Sequence, residues 1–329
     1  MSTSHSDQII TTPGTYDPIW GEFGEVLYSK TNDRLFGVPG KWDIRYNADL
    51  ELAWIDPRPT TQSLNFLYKN YLYTHQDNEI KASSNVYGRL IRNIYKLTIG
   101  RHPLYKSRIE LDHMFLENGN GRSLLDVGCG NGSRMKLLQD RGWITTGVEF
   151  DPEAIKFARS KYDGINIHQG SLESACFGSQ KFDAIILNHV IEHLPFPCQT
   201  IKLCREILSN KGKLVIVTPN IKSFGHQLFK KYYYHLDPPR HLQLFSVKSL
   251  QRLIQEVGFK NYEISTTALR AEMVGHCSAM FKYGILNDKI SPSRIIRDFN
   301  SLRYQYCALK HIKSNPQSGD EIILNAFIN

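Results

Sequence analysis

The chain has 329 residues, 41% hydrophobic and 11% aromatic, and 40 Lys and Arg against 32 Asp and Glu leave a net charge of +8. That is enough apolar material for one full α/β domain with a smaller accessory region, and it predicts a soluble, globular chain. No apolar run reaches spanning length, residues 1–10 lack a signal-peptide pattern, and the six cysteines contain no C-x-x-C pair, which argues against a transmembrane segment, a leader and a disulfide or zinc framework; a cytoplasmic location is expected.

Residues 1–60 are rich in Gly, Pro, Asp and aromatics, with short apolar runs at 26–28 and 52–55, and read as small strands joined by turns. Residues 61–121 turn helical. Leu90, Ile91, Ile94 and Leu97 share a face with Arg89, Arg92 and Lys96 beside it, which predicts a cap over the substrate side of the α/β domain that starts at Arg122. An amphipathic basic helix also suits peripheral membrane contact. Between Lys81 and Arg108 stand seven Lys or Arg and no acid, a stretch suited to an anionic partner or to a solvated helix face.

From Arg122 strand and helix alternate, with strands predicted at 123–128, 144–150, 165–169, 182–188 and 213–218. The first helix runs over 133–141 and stops at Gly142; the second takes Asp151 as N-cap with Pro152 at its first position. Residues 184–187 are uninterrupted apolar, as a central parallel strand buried on both faces requires. Residues 262–268 and 321–328 read as the last strands. Between them lies a mostly helical insertion at 270–318, whose Arg294, Arg297, Arg303, Lys310 and Lys313 suit substrate recognition or oligomer contacts.

Residues 123–149 carry the chemistry. Gly128, Gly130 and Gly132 run G-x-G-x-G, with Ser133 where a dinucleotide fingerprint needs its third glycine. Asp126 would repel a pyrophosphate but can hold the ammonium of an amino-acid-like ligand. Glu149, 23 residues after Asp126 and ending the second strand, can accept from ribose hydroxyls. That combination suits S-adenosylmethionine.

With Leu-Leu-Asp-Val-Gly-Cys-Gly-Asn-Gly (124–132), Gly-Val-Glu-Phe-Asp-Pro (147–152), Gln-Gly-Ser-Leu (169–172), the block at 182–194, Leu-Val-Ile-Val-Thr-Pro-Asn (214–220) and Asp-Pro-Pro-Arg-His-Leu-Gln-Leu-Phe-Ser (237–246) in order, residues 122–329 resemble the class I S-adenosylmethionine-dependent methyltransferases of type 11/23. The resemblance implies an α/β, Rossmann-like, doubly wound sheet of seven strands in the order 3-2-1-4-5-7-6, the last antiparallel. It implies a cofactor site of Asp126, Gly128, Cys129, Gly130, Gly132, Glu149, Phe150, Ser171, Leu172 and Asn188. Phe150 would pack on the adenine, with a core role as the alternative. Ser171 stands where the family often has Asp, and accepts from the adenine amino group more weakly.

His189 follows the fourth strand, at the sheet edge where ligands of open α/β folds bind. Glu192 and His193 begin the next helical segment. In one quinone-pathway branch a Glu-x-x-Glu-His cluster binds a divalent metal; His189 replaces its first Glu here, and no metal is expected. His241, beside Arg240 and Asp237, lies on a segment that the family folds over the active site, and its imidazole suits a base or substrate-orienting role, with helix-start hydrogen bonding as the alternative.

Residues 1–60 resemble the zinc-knuckle head that precedes some methyltransferase domains, through Asp17-Pro18-Ile19-Trp20-Gly21, Arg45-Tyr46-Asn47-Ala48-Asp49 and Asp56-Pro57-Arg58-Pro59. All the expected cysteines are missing, so a metal-free remnant is expected. The implied activity is methyl transfer to a small molecule, sugar or glycan precursor, an anionic one included, at oxygen, by in-line attack in which alignment and desolvation do most of the catalysis. The alternatives are an RNA or protein methyltransferase and a non-catalytic cofactor-binding protein. Nucleic acid is not expected as a partner, because the fourth strand ends in Asn188-His189-Val190-Ile191 rather than an Asn/Asp-Pro-Pro-aromatic box.

Overall fold

The computed structural model describes residues 9–68, 93, 107–284 and 292–328. The helical face predicted from Leu90 to Leu97, and most of the basic stretch from Lys81, lie outside the described residues. The head folds as strands β1 (Thr11–Thr12), β2 (Glu25–Thr31), β3 (Trp42–Asn47), β4 (Leu52–Asp56) and β5 (Arg58–Pro59). Short helices at Leu64–Tyr68 and Ser107–Asp112 are the described parts of the predicted cap. The run at 26–28 does lie on a strand, but Val26 and Leu27 are exposed, and only the run on β4 is core.

Beyond the cap come β6 (Ser123–Val127), β7 (Ile144–Glu149), β8 (Ile167–Gln169), β9 (Phe182–Asn188), β10 (Leu208–Pro219), β11 (Gln243–Leu244), β12 (Asn261–Thr267) and β13 (Glu321–Phe327). Seven of them form one sheet in the order β12-β13-β10-β9-β6-β7-β8. Counted along the domain this is 3-2-1-4-5-7-6 read from β8, and β13 is antiparallel to both its neighbours, as the resemblance implied. Strand β10 begins earlier than predicted, because Leu208 already pairs with Phe182 before a register shift around Lys211, whose φ of +63° breaks the ladder.

Alternation along β9 shows why its sequence is apolar throughout. Ile185 and Leu187 pack into one helical layer, Ala184 and Ile186 into the other, and all four are fully buried. The insertion forms helices Ala271–Tyr283 and Pro292–Ser314. Tyr304 on the second donates to both oxygens of Asp320, at 2.9 and 2.7 Å, which ties the insertion to the start of β13.

The head is no separate bead. Strand β11 pairs with β4, so the four-stranded sheet β11-β4-β3-β2 takes its edge from the larger domain. Carboxylates close two of the head's turns. Asp17 accepts from the backbone N–H of Ile19, Trp20 and Glu22 at 2.6–2.8 Å. Asp33 accepts from Leu35, Phe36 and Val38 and also takes a bidentate contact from Arg240 at 2.7 and 2.8 Å.

Candidate active site

The loop after β6 is bent by three left-handed glycines, Gly128 (φ +69°), Gly130 (φ +54°) and Gly132 (φ +73°). They do not share one role. A Cβ on Gly128 would lie 2.6 Å from Val190 Cγ2 and one on Gly132 2.5 Å from Ile165 Cδ1, so these two serve the protein's own packing; a Cβ on Gly130 meets nothing within 4 Å. Only Gly130 opens onto space a ligand can use. Cys129 contributes main chain there, since its side chain packs in a buried cluster with Met135 and Ile155.

Glu149 is locked before any ligand arrives. Its Oε2 accepts from Gly130 N at 2.7 Å, and its Oε1 from Phe150 N at 2.7 Å and Asp151 N at 2.9 Å. Burial raises its pKa, and these three N–H groups oppose the rise. A carboxylate has about four acceptor positions, so one remains for a hydroxyl. Gly170 N donates to Glu149 O at 2.8 Å, which brings Ser171 beside the end of β7, while Leu172 is buried behind it. Phe150 is 47% exposed, which leaves its ring free to cover a base rather than fill the core.

Asp126, on β6, is 2% exposed, and burial pushes its pKa up to about 7 although Arg134 pulls it down. Arg134 is a site residue that motif reading missed. It sits in the first turn of helix Ser133–Gln139, where the positive helix end disfavours a cation, and that misplacement is the signal that could have found it. Asp126, Asp112 and Glu321 offset its charge, and its Nη1 donates to Asp112 O at 2.8 Å. Asn188 Oδ1, at the end of β9, is buried without a partner.

These residues fit S-adenosylmethionine: open space at Gly130, an oriented carboxylate at Glu149 and an unsatisfied acceptor at Asn188 frame one ligand at the sheet's carboxyl edge. A bound ammonium requires the ionised form of Asp126. Cofactor affinity is therefore expected to be flat above about pH 7 and to fall by up to about tenfold per pH unit below it, as protonated Asp126 must first release its proton. Calorimetric titration from pH 8 to 5.5 checks this.

The reacting end is a cluster of imidazoles. His189 lies between two buried carboxylates, with Nε2 2.7 Å from Glu321 Oε1 and Nδ1 3.3 Å from Glu192 Oε1. Burial opposes its charge, but Glu192 and Glu321 outweigh that and raise its pKa to about 9. The charged form of His189 is thus favoured, hydrogen-bonded to Glu321 and paired with Glu192, and unsuited to act as a base. Its ring stacks on His235, which burial and the charge of His189 push down to about 3.

His193 and His241 are neighbours, ring centroids 4.6 Å apart. His193 Nδ1 donates to Arg240 O at 3.0 Å and His241 Nδ1 to His235 O at 2.7 Å, so each carries its lone pair on Nε2. Burial, foremost, lowers the pKa of His193 to about 4. Glu192, which accepts from Thr218 Oγ1 at 2.9 Å, places a carboxylate oxygen within 4.8 Å of donor atoms of both rings. The structure therefore brings together all three expected histidines and Glu192, which the sequence also singled out, and adds His235 and Glu321. Glu321 was legible only as a strand residue.

A family profile described as a methyltransferase domain matches residues 101–264. Ubiquinone biosynthesis O-methyltransferase of Haemophilus ducreyi is 32% identical over 110 residues, 30% of this chain and 46% of that protein, and the Coxiella burnetii protein of the same name is 33% identical over 118 residues, 35% and 48%. The chain spans about half the length of these curated relatives. A methyltransferase of Archaeoglobus fulgidus superposes with a TM-score of 0.45 at 18% identity, over 72% of this chain and 98% of that one. No helix among the described residues is long and apolar enough to cross a membrane. Residues 101–264 thus resemble a methyltransferase domain, and they lie on a sheet with the strand order that the class I resemblance implied.

Proposed function

We propose that the chain transfers the methyl group of S-adenosylmethionine to an oxygen of a small-molecule acceptor, a sugar or glycan precursor in our reading. The observation that carries this is the placement of two groups at the carboxyl ends of the strands: the Gly130–Glu149 pair after β6 and β7, and the His241–His193 pair, grouped with Glu192, which accepts from Thr218 of β10. The relatives named for ubiquinone biosynthesis O-methylation support an oxygen acceptor.

The bound cofactor supplies an activated methyl on a sulfonium. The chain's residues do the rest. Asp126 holds the ammonium, with Arg134 as the cation for the opposing carboxylate; Glu149 receives a ribose hydroxyl; Phe150 and Leu172 flank the base, with Ser171 at its rim. His241 Nε2 accepts the proton that the acceptor hydroxyl loses, and the ionised Glu192 nearby stabilises the imidazolium that forms. His189, already charged and clamped, keeps Glu192 and Glu321 in place.

Calorimetry with S-adenosylmethionine and its demethylated product tests the reading, and absence of binding by either removes it. Glu149→Ala is expected to weaken cofactor binding by about 10- to 100-fold, since a charged hydrogen bond and the loop anchored on it are lost. Affinity within twofold of the parent would move the ribose site elsewhere.

A further inference from the structure

We propose that the face built from Arg34, Lys230, Lys231, Tyr232, Lys282 and Tyr283 docks on an anionic lipid bilayer, an inference independent of the methyl acceptor. Three segments distant in sequence meet there. Arg34 of the head donates from Nη1 to Lys231 O at 2.9 Å, and its guanidinium lies over the rings of Tyr232 at 5.3 Å and Phe281 at 5.7 Å. Lys231 Nζ lies 5.3 Å from the Tyr232 ring centroid, and Lys282, one residue after Phe281, lies 5.9 Å from that of Tyr283.

Among the described residues the charge on this face is unopposed. Residues 228–236 and 278–284 contain no acid, and residues 34–41 none either. The acids next to the face, Asp33 and Asp237, are both engaged by Arg240, whose side chain is fully buried. Among the described residues Lys230, Lys231 and Lys282 have no carboxylate partner, in contrast to Lys136 and Lys222, which do.

Apolar groups sit among the cations. Leu228 is 49% exposed and Tyr283 68% exposed. An exposed aliphatic side chain two residues before Lys230 and an exposed tyrosine beside Lys282 match the layered chemistry of a membrane surface, where cations meet phosphates and the amphipathic ring sits at headgroup depth. A nucleic acid would use the cations and the ring but offers nothing to Leu228. Each cation near an anionic leaflet strengthens binding by about fivefold at low salt. The face also continues into the site, since Tyr232 is three residues from His235.

The test is co-sedimentation of the full chain with vesicles of about 30% phosphatidylglycerol in phosphatidylcholine, and with pure phosphatidylcholine. Binding is expected to the anionic vesicles only, to weaken by about 100-fold in the Lys230→Glu, Lys231→Glu, Lys282→Glu triple variant, and to weaken further with Tyr283→Ala. S-adenosylmethionine binding, measured by calorimetry, should stay unchanged in these variants and so report that they fold. Failure to bind anionic vesicles in about 0.05 M salt overturns the proposal, as does unaltered vesicle binding by the triple variant. Retention of a single-stranded RNA at about 0.15 M salt, lost in the same variant, would overturn it in favour of a nucleic acid.

Discussion

Asp33→Ala is expected to lower the free energy of unfolding by about 3–5 kcal/mol, the cost of leaving a buried cation without its bidentate partner. Arg240 is fully buried and Asp33 nearly so, and the pair joins the head to the segment that carries His241. Burial works against ionisation of Asp33, but the hydrogen bonds and charge of Arg240, with the N–H groups of Phe36 and Val38, hold its pKa below the ordinary carboxylate value. Its stabilisation is therefore present above the ordinary carboxylate range and lost as pH falls through the lowered native value. Urea unfolding at pH 7 and again near pH 3 checks both statements; a loss under about 1 kcal/mol at pH 7 would show the head to be held by its shared sheet alone. The neighbouring Asp237 retains a contact with Arg240, which sets the lower end of the range.

His241→Gln should reduce kcat by about 10²- to 10⁴-fold, the usual contribution of a positioned base, with cofactor affinity little changed. The glutamine preserves most of the volume of a ring that is 8% exposed and packed edge-on to His193, so the loss reads chemistry rather than collapse. Unchanged turnover would transfer the proton-accepting role to His193, whose Nδ1–H is likewise fixed by a backbone carbonyl.

Much of the cofactor lobe was readable because it is local. The G-x-G-x-G loop, the acid ending the second strand and Asp151 capping the next helix lie within one βαβ unit, where spacing alone fixes which groups meet. Asp151 does accept from Glu153 N, with Pro152 opening the helix as expected. What spacing could not give was the division of labour among the glycines. That Gly128 makes room for Val190 and Gly132 for Ile165 depends on residues 62 and 33 positions away.

The catalytic side was legible by type and not by state. His189, His193 and His241 could each be picked out as imidazoles near the sheet edge, yet identical side chains end with opposite protonation. The charge of His189 is favoured by Glu192, three residues on, and by Glu321, which β13 brings to its Nε2 from 132 residues away. The neutral forms of His193 and His235 are favoured chiefly because burial disfavours their charge, and His235 also faces the charge of His189.

The head shows the same division in packing. Missing cysteines excluded a thiolate site from sequence alone, but nothing in residues 1–60 announces that β4 will pair with Gln243–Leu244 or that Asp33 will meet Arg240.

The sequence by itself determined the α/β class through short-range patterns of apolar runs, glycines and capping residues, and through the family resemblance of its ordered motif blocks it implied the strand order and the cofactor. The tertiary structure decided which histidine can take a proton, how the head is fastened and where unopposed charge gathers. Those depend on electrostatic and packing partners that chain order does not place side by side.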